Sequence, residues 1–410
     1  MSSVAAQYFH LLSRQSAFQI GFETPLTDHE AMTLALRRGI EGSSTVSPNP
    51  PVGCVILSSE GRVLAVGHHM RAGQAHAEIE ALKALAGFDE LERTAEGWNL
   101  AQLKVDELRG AKIFVTLEPC AHEGRTPSCA KTLAKLPISE LVYGVEDPDP
   151  RVQGRGAEIL RQAGIRVRNW QKEDQTGLAQ GLRDLIEIFN VNVQDKRPFV
   201  SLKMASTLDG QMALKNGKSQ WITSEAARDF GMYLRGLHDA VLVGVDTILA
   251  DDPQLNLRLP MQQGKASHLV ILDPQGKLFL KPQLKIFKAH APHQISIFTE
   301  PQWLGTGVPY NHFGLNLSEG RFELSAVLEN LYEKGLRSVY VEGGPFTISE
   351  FFRQKLADRL WLFQAPAVLG SGRSWTQSVE LDSMEQKISL AQGNFLDLSP
   401  DWLMSFRLSH

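Results

Sequence analysis

The chain has 410 residues, 43% hydrophobic and 21% charged, with 42 basic against 46 acidic side chains and a formal net charge of −4. At roughly 100–200 residues per domain the length holds two or three domains, two being the simpler reading, and the charge balance excludes a broad nucleic-acid or membrane-binding face while allowing a local phosphate pocket. Three cysteines cannot make a disulfide framework and point to a reducing, cytoplasmic setting, and no run reaches the ~18 apolar residues of a membrane span.

Residues 1–24 lack the basic-then-apolar order of a secretory signal and read as an extension, helical or frayed, outside the core. "TDHEAMTLALRRGIEG" predicts a helix capped by Thr27 or Asp28 and ending at Gly42. "PVGCVIL" (51–57) reads as a buried strand, with Cys54 as a small core residue. "HAEIEALKALAG" predicts a helix closed by Gly87. Residues 88–109 are charged and amphipathic and read as a surface helical insert. "AKIFVTL" (111–117) and "SELVYGVED" (139–147) are strand-like, and "GAEILRQAGIRV" gives a helix, a Gly164 cap and a further strand. This alternation implies a sheet covered by helices, with sites at strand-to-helix junctions. The first domain is placed at 25–170 and a linker at 171–197. A second α/β domain follows at 198–410, with strand signals in "FVSLKMAS", "DAVLVGVDTIL", "HLVILD", "QISIFT" and "SVYVEGGP". No internal repeat or low-complexity tract stands out.

Chemistry concentrates in the first half. His76-Ala77-Glu78 stands at a predicted helix start, Pro119-Cys120 is expected to open another just after a strand, and Cys129 follows. One imidazole and two thiolates make three protein ligands, the number that leaves zinc a fourth position for water and so marks a catalytic site. Glu78, two residues from the imidazole, is placed to move protons without ligating. The H-x-E…P-C-x-x-C pattern marks zinc deaminases; here the second part is widened, with eight residues between Cys120 and Cys129.

The segments "PNPPVGCVIL", "GHHMRAGQAHAE", "TLEPCAHEGRTPSC" and "DPDPRVQGRG" resemble the deaminase half of the bifunctional riboflavin biosynthesis (RibD) family, in which the wide spacing around a Gly-Arg-Thr-Pro turn is normal. The resemblance implies a cytidine-deaminase-like α/β/α sandwich with one Zn2+ per chain on His76, Cys120 and Cys129, and Glu78 as general acid and base. It implies that Asn49, His69 and Arg125 contact a phosphorylated pyrimidine. The family usually has Asp-Pro-Asn-Pro where this chain has Asp149 in the asparagine's place; ionised aspartate accepts hydrogen bonds but cannot donate them.

"LKMASTLDGQMALKNGKSQWITS" (202–224), "DAVLVGVDTILADDPQLNLR" (239–258) and "VYVEGGP" (339–345) resemble the family's reductase half, whose fold is similar to dihydrofolate reductase. By itself Gly343-Gly344-Pro345 is a turn that suits a phosphate, and it is not the G-x-G-x-x-G fingerprint. The resemblance implies NADPH contacts from Ala205, Trp221, Thr247, Asp251, Gly344, Pro345, Phe346, Thr347, Ile348, Ser349 and Glu350. It implies substrate contacts from Ser219, Arg235, Leu255, Arg258 and Glu342, with the two arginines as phosphate clamps. Lys203 and Asp209 lie near the site without an assigned role, and Gln211 stands where the family more often has a basic residue. The expected activity is hydrolytic deamination of 2,5-diamino-6-ribosylamino-4(3H)-pyrimidinone 5′-phosphate. NADPH-dependent reduction of the ribosyl group of 5-amino-6-(5-phosphoribosylamino)uracil to ribityl follows, in a homo-oligomer, dimer or tetramer. A zinc deaminase on another base with a nucleotide-binding second domain, and a structural zinc module closed by His122, are the competing readings.

Overall fold

The structure, a computed structural model, describes residues 3–13, 24–94, 97–124, 126–259, 267–304, 309–376 and 379–408. It divides into two units, Met1–Asp195 and Lys196–His410.

In the first unit the chain order is α1 (Ser3–Ser13), α2 (Asp28–Gly42), β1 (Gly53–Leu57), β2 (Val63–His68), α3 (Ala77–Ala86), β3 (Arg93–Thr94), β4 (Gly97–Trp98), β5 (Lys112–Leu117) and α4 (Cys129–Leu133). Then come β6 (Glu140–Val145), α5 (Arg155–Gln162), β7 (Arg166–Asn169), α6 (Trp170–Glu173), α7 (Leu178–Leu185) and α8 (Glu187–Gln194). The sheet runs β2-β1-β5-β6-β7, with β1 antiparallel to both neighbours and β5, β6 and β7 parallel. Alternate residues of each strand face opposite sides. Cys54, Ile56, Ile113, Val115, Leu141 and Tyr143 enter a core with Ile79 and Leu82 of α3, Leu133 of α4 and Leu160 of α5. On the other face Val55, Phe114 and Val142 are buried, and α2 and α7 pack there. The result is an α/β/α sandwich.

Local sequence explains the helices that carry the site. Thr27 and Glu30 form a reciprocal capping box at the start of α2. Gly87, at φ 75°, ends α3 in the left-handed conformation. On β2, a Cβ at Gly67 would lie 2.4 Å from Ala81 N and 2.5 Å from Ala77 O. Only glycine lets α3 sit this close to the strand, and that closeness sets the height of His76 and Glu78 above the sheet.

Three expectations are revised. Residues 3–13 do not lie outside the core: Phe9 and Leu12 are buried, and α1 packs on α2 and α7. Residues 171–195 of the stretch expected as a linker fold into the first unit, because Leu178, Leu182 and Leu185 form an apolar stripe on α7. The 88–109 insert is not an α-helix. It forms the β3–β4 hairpin and two 3-10 turns, and its spaced apolar residues Leu91, Trp98, Leu103 and Leu108 serve as pegs into the core beside α3.

The second unit contains β8 (Phe199–Thr207), β9 (Gln211–Ala213), α9 (Glu225–Leu237), β10 (Ala240–Gly244), α10 (Val245–Asp251), β11 (His268–Leu272), α11 (Ile286–Ala289), β12 (Ile295–Thr299) and β13 (Asn311–Gly314). It continues with β14 (Leu317–Ser318), β15 (Arg321–Phe322), α12 (Leu324–Glu333), β16 (Ser338–Val341), α13 (Pro345–Arg353), β17 (Arg359–Ala365), β18 (Arg373–Ser374), β19 (Leu390–Leu398) and β20 (Asp401–Leu408). The main sheet runs β13-β12-β11-β10-β16-β8-β17-β20-β19. It is parallel from β13 through β17 and antiparallel at β20 and β19. The central strands, such as β10 and β16, are almost continuously apolar, as expected of parallel strands covered on both faces. A cleft opens at their carboxyl ends, where ligands bind in open α/β sheets.

Candidate active sites

Three chain segments meet at the first site. His76 is the N-cap of α3, and Cys129 is the first residue of α4. Cys120 lies in the loop after β5; the helix expected to begin there begins at Cys129 instead. His76 Nδ1 stands 3.6 Å from the Cys120 sulfur and 3.5 Å from the Cys129 sulfur, and the three ligand atoms lie within 4.8 Å of one another. A tetrahedral zinc with Zn–S of about 2.3 Å and Zn–N of about 2.0–2.1 Å separates nitrogen from sulfur by about 3.6 Å, so the donor set fits that ion. His122 is exposed and stands outside the group, so it does not close the site with a fourth ligand.

Glu78, on the first turn of α3, is 4% exposed. Burial pushes its carboxyl above the ordinary range, against the opposing pull of His76. His69 is buried beside His76, ring centroids 5.3 Å apart. Its Nδ1–H donates to the Ala75 carbonyl at 2.9 Å, which leaves Nε2 to accept from Asn49 Nδ2 at 3.0 Å. The structure thus brings Asn49, His69, His76 and Glu78 together. Arg125 lies outside the described residues. Asp149 turns its carboxylate to Arg151, accepting from Nε and Nη2 at 2.9 and 2.5 Å, and its backbone N–H donates to Asp147.

Sequence reading missed the residues that hold this loop. Ser128 donates to the Cys120 carbonyl at 2.8 Å and caps α4 by accepting from Lys131 N. Glu118 accepts from Gly154 N and Ala157 N at the start of α5, tying the loop to that helix. A serine just before a helical cysteine is a readable N-cap signal; nothing local marks Glu118.

In the second unit a cleft of about 1020 Å³ is lined by Ala205, Ser219, Trp221, Thr247, Asp251, Leu255, Arg258, Arg235, Glu342, Gly344, Pro345, Phe346, Thr347 and Glu350. Lys203 lines it too, while Asp209 and Gln211 do not. Asp209 instead accepts from Leu369 N and Gly370 N, a turn-holding role. Ile348 and Ser349 also depart from expectation: both side chains are fully buried, Ile348 in the core and Ser349 hydrogen-bonded to the Trp375 carbonyl. Ile348 and Ser349, four and five residues after the N-cap, turn inward on the helix when its first turn faces the cleft.

Arg235 is already engaged. Its Nε and Nη2 donate to the two Glu342 oxygens at 2.6 and 3.0 Å, and Nη1 donates to the Asn256 carbonyl at 2.9 Å. Burial opposes ionisation of Glu342, but the adjacent guanidinium outweighs it and holds the carboxyl below its usual range. Arg258 is exposed and makes no ion pair with a described residue. Glu350 is clamped between Arg321 and Arg353. Trp221 is 72% exposed, with the Arg228 guanidinium 4.5 Å over its ring. Arg228, Arg321 and Lys277 line the cleft without having been marked in the sequence. Leu255 holds φ at 54°, an uncommon conformation for a bulky residue of the kind that gathers at binding sites.

The cleft suits a phosphate group on two counts. At Gly343 a Cβ would come within 2.6 Å of Thr347, so only glycine permits the tight β16–α13 turn. The helix that follows has no side-chain cap and no acid in its first turn, which leaves its backbone N–H groups available to an anion.

Comparison with known proteins agrees with this division. Residues 26–145 match the cytidine and deoxycytidylate deaminase zinc-binding region, and residues 198–403 match the RibD C-terminal domain. The chain is 32% identical to riboflavin biosynthesis protein RibD of Aquifex aeolicus over 93% of this chain and 98% of that protein. It is 31% identical to the Escherichia coli protein of the same name over 84% and 89%. Among solved structures, RibD of Acinetobacter baumannii superposes with a TM-score of 0.74 at 30% identity, covering 93% of this chain and 98% of that one. A Thermotoga maritima diaminohydroxyphosphoribosylaminopyrimidine deaminase/5-amino-6-(5-phosphoribosylamino)uracil reductase gives 0.75 at 32% identity, covering 98% and 100%.

Proposed function

The chain belongs to the RibD family, a bifunctional riboflavin biosynthesis enzyme with a zinc-binding deaminase domain and a dihydrofolate-reductase-like reductase domain, and on that premise we propose the substrates, cofactors and residues of its two steps. The first is hydrolytic deamination of 2,5-diamino-6-ribosylamino-4(3H)-pyrimidinone 5′-phosphate, releasing ammonia. The second reduces the ribosyl group of 5-amino-6-(5-phosphoribosylamino)uracil to ribityl at the expense of NADPH. The observation that carries the reading is the convergence of His76, Cys120 and Cys129 beside the buried carboxyl of Glu78.

In the first step His76, Cys120 and Cys129 would hold one zinc, which when bound would acidify water and so supply a nucleophile at neutral pH. Glu78 would take a proton from the attacking water and deliver it to the exocyclic amino group, which leaves as ammonia; burial, by raising its proton affinity, suits it to both tasks. Asn49 and His69 orient the pyrimidine. With Nδ1 committed to the Ala75 carbonyl and Nε2 accepting from Asn49 Nδ2, His69 holds the Asn49 amide in place. Arg125, in the loop between the cysteines, meets the substrate phosphate.

In the second step NADPH supplies hydride. The α13 turn from Gly344 to Thr347 would hold an anionic phosphate of that cofactor. Ala205, Trp221, Thr247 and Asp251, which line the same cleft, would contact the cofactor. Arg258 is the phosphate clamp, being free of ion pairs among the described residues. Arg235 shapes the site through Glu342 and leaves fewer donors for substrate. The test supplies the diaminopyrimidinone ribotide and follows ammonia release and NADPH absorbance separately. Both signals are expected, ammonia first; ammonia without NADPH consumption would support the deaminase with a merely nucleotide-binding partner domain.

A further inference from the structure

We propose that Thr126 is a positioning residue that fixes the tautomer and ring orientation of His76, so that the widened loop between the cysteines carries its own support for the imidazole ligand. The inference rests on zinc being held by His76, Cys120 and Cys129.

An imidazole that ligates through one nitrogen keeps its proton on the other, and the partner of that N–H decides how firmly the ring is aimed. In His76 the two sulfurs both face Nδ1. Nε2 faces Thr126 Oγ1 at 3.3 Å. The hydroxyl oxygen therefore accepts the Nε2–H, and Nδ1 is left with its lone pair toward the sulfurs. The neighbouring imidazole does not substitute for it, because both nitrogens of His69 are taken by Ala75 and Asn49.

The geometry of Thr126 is built rather than incidental. The residue is 7% exposed, and its carbonyl accepts from Gly124 N at 3.1 Å, closing the turn that carries it. Two residues later Ser128 holds the Cys120 carbonyl and caps the helix that begins at Cys129. A two-residue spacing between ligands has no room for both side chains. Eight residues do, and the extra length places one hydroxyl behind the imidazole and another behind the first cysteine.

The test is zinc affinity, measured on metal-stripped full-length chains by competition with a chromophoric chelator. Thr126→Val replaces the hydroxyl with a methyl of similar volume, and Thr126→Ala removes it without adding bulk to a buried site. Both are expected to bind zinc about 10–100-fold more weakly than the parent. Thr126→Ser, which keeps the acceptor, is expected to stay close to the parent, and the metal-free forms are expected to melt alike. Parental affinity in the Val and Ala variants would overturn the proposal, as would a Ser variant as weak as Val, which would assign the effect to loop packing. A parent chain that takes up no zinc would remove the metal reading itself, and this inference with it.

Discussion

In the first unit three ligand atoms lie within 4.8 Å of one another with one buried carboxyl beside them, whereas the cleft of the second unit spreads over about 1020 Å³ and draws its charges from many elements. On the proposed reading each residue type in the first site is dictated by its task, and none can stand in for another. In the cleft, Arg235 with Glu342 and Arg321 with Glu350 are already paired, so the surface is shaped by ion pairs and backbone as much as by free ligand-binding groups. Loss of one group should silence the first site and only weaken the second.

The sharpest break of that contrast is Glu78→Gln. Deamination is expected to fall by about 10²–10⁴-fold, while the protein keeps one zinc per chain and reduces the deaminated intermediate at the parental rate. Metal content by elemental analysis and the two separate assays check this; normal deamination would return Glu78 to a structural role.

Next in size is Arg235→Ala. It strands Glu342 in a buried setting, and removing one partner of such a pair costs about 3–5 kcal/mol. Denaturant unfolding should therefore show the second unit weakened, with the first unit's ammonia release intact at low denaturant. Equal loss in both activities without unfolding would contradict the division of labour.

The smallest effect is expected at Asp149→Asn, which restores the residue usual in the family. The carboxylate is turned to Arg151, so removing its charge should leave the deamination rate unchanged. A marked gain in substrate affinity would show that the side chain reaches the substrate.

The same contrast governs what could be read from the sequence. His76, Glu78, Cys120 and Cys129 were legible because metal and proton chemistry admit few residue types, and their spacing marks the pattern. Helices α2, α3 and α5 and strands β1, β5, β6 and β7 were legible from apolar periodicity and from caps such as Thr27 and Gly87, as were strands β8, β10, β11, β12 and β16, whereas β2, β17, β19 and β20 were not marked. What escaped depended on distance along the chain. Glu118 meets Gly154 across 36 positions and Arg235 meets Glu342 across 107, and no local pattern announces such pairs. Ile348 and Ser349 were assigned to the cleft with their neighbours, yet the turn of α13 carries them into the core. The apolar residues of 88–109 have a spacing that short 3-10 turns satisfy as well as a helix does, and those of 178–185 read as part of a linker because their partner, α1, begins 175 positions earlier.

The central claim is that two independent chemistries share one chain, and metal removal tests it most directly. The chelator-treated protein, confirmed folded, is given the starting ribotide in one assay and the deaminated intermediate with NADPH in the other. Ammonia release is expected to vanish and to return with added zinc, while NADPH oxidation continues unchanged. Loss of both activities in a protein that stays folded would contradict the account.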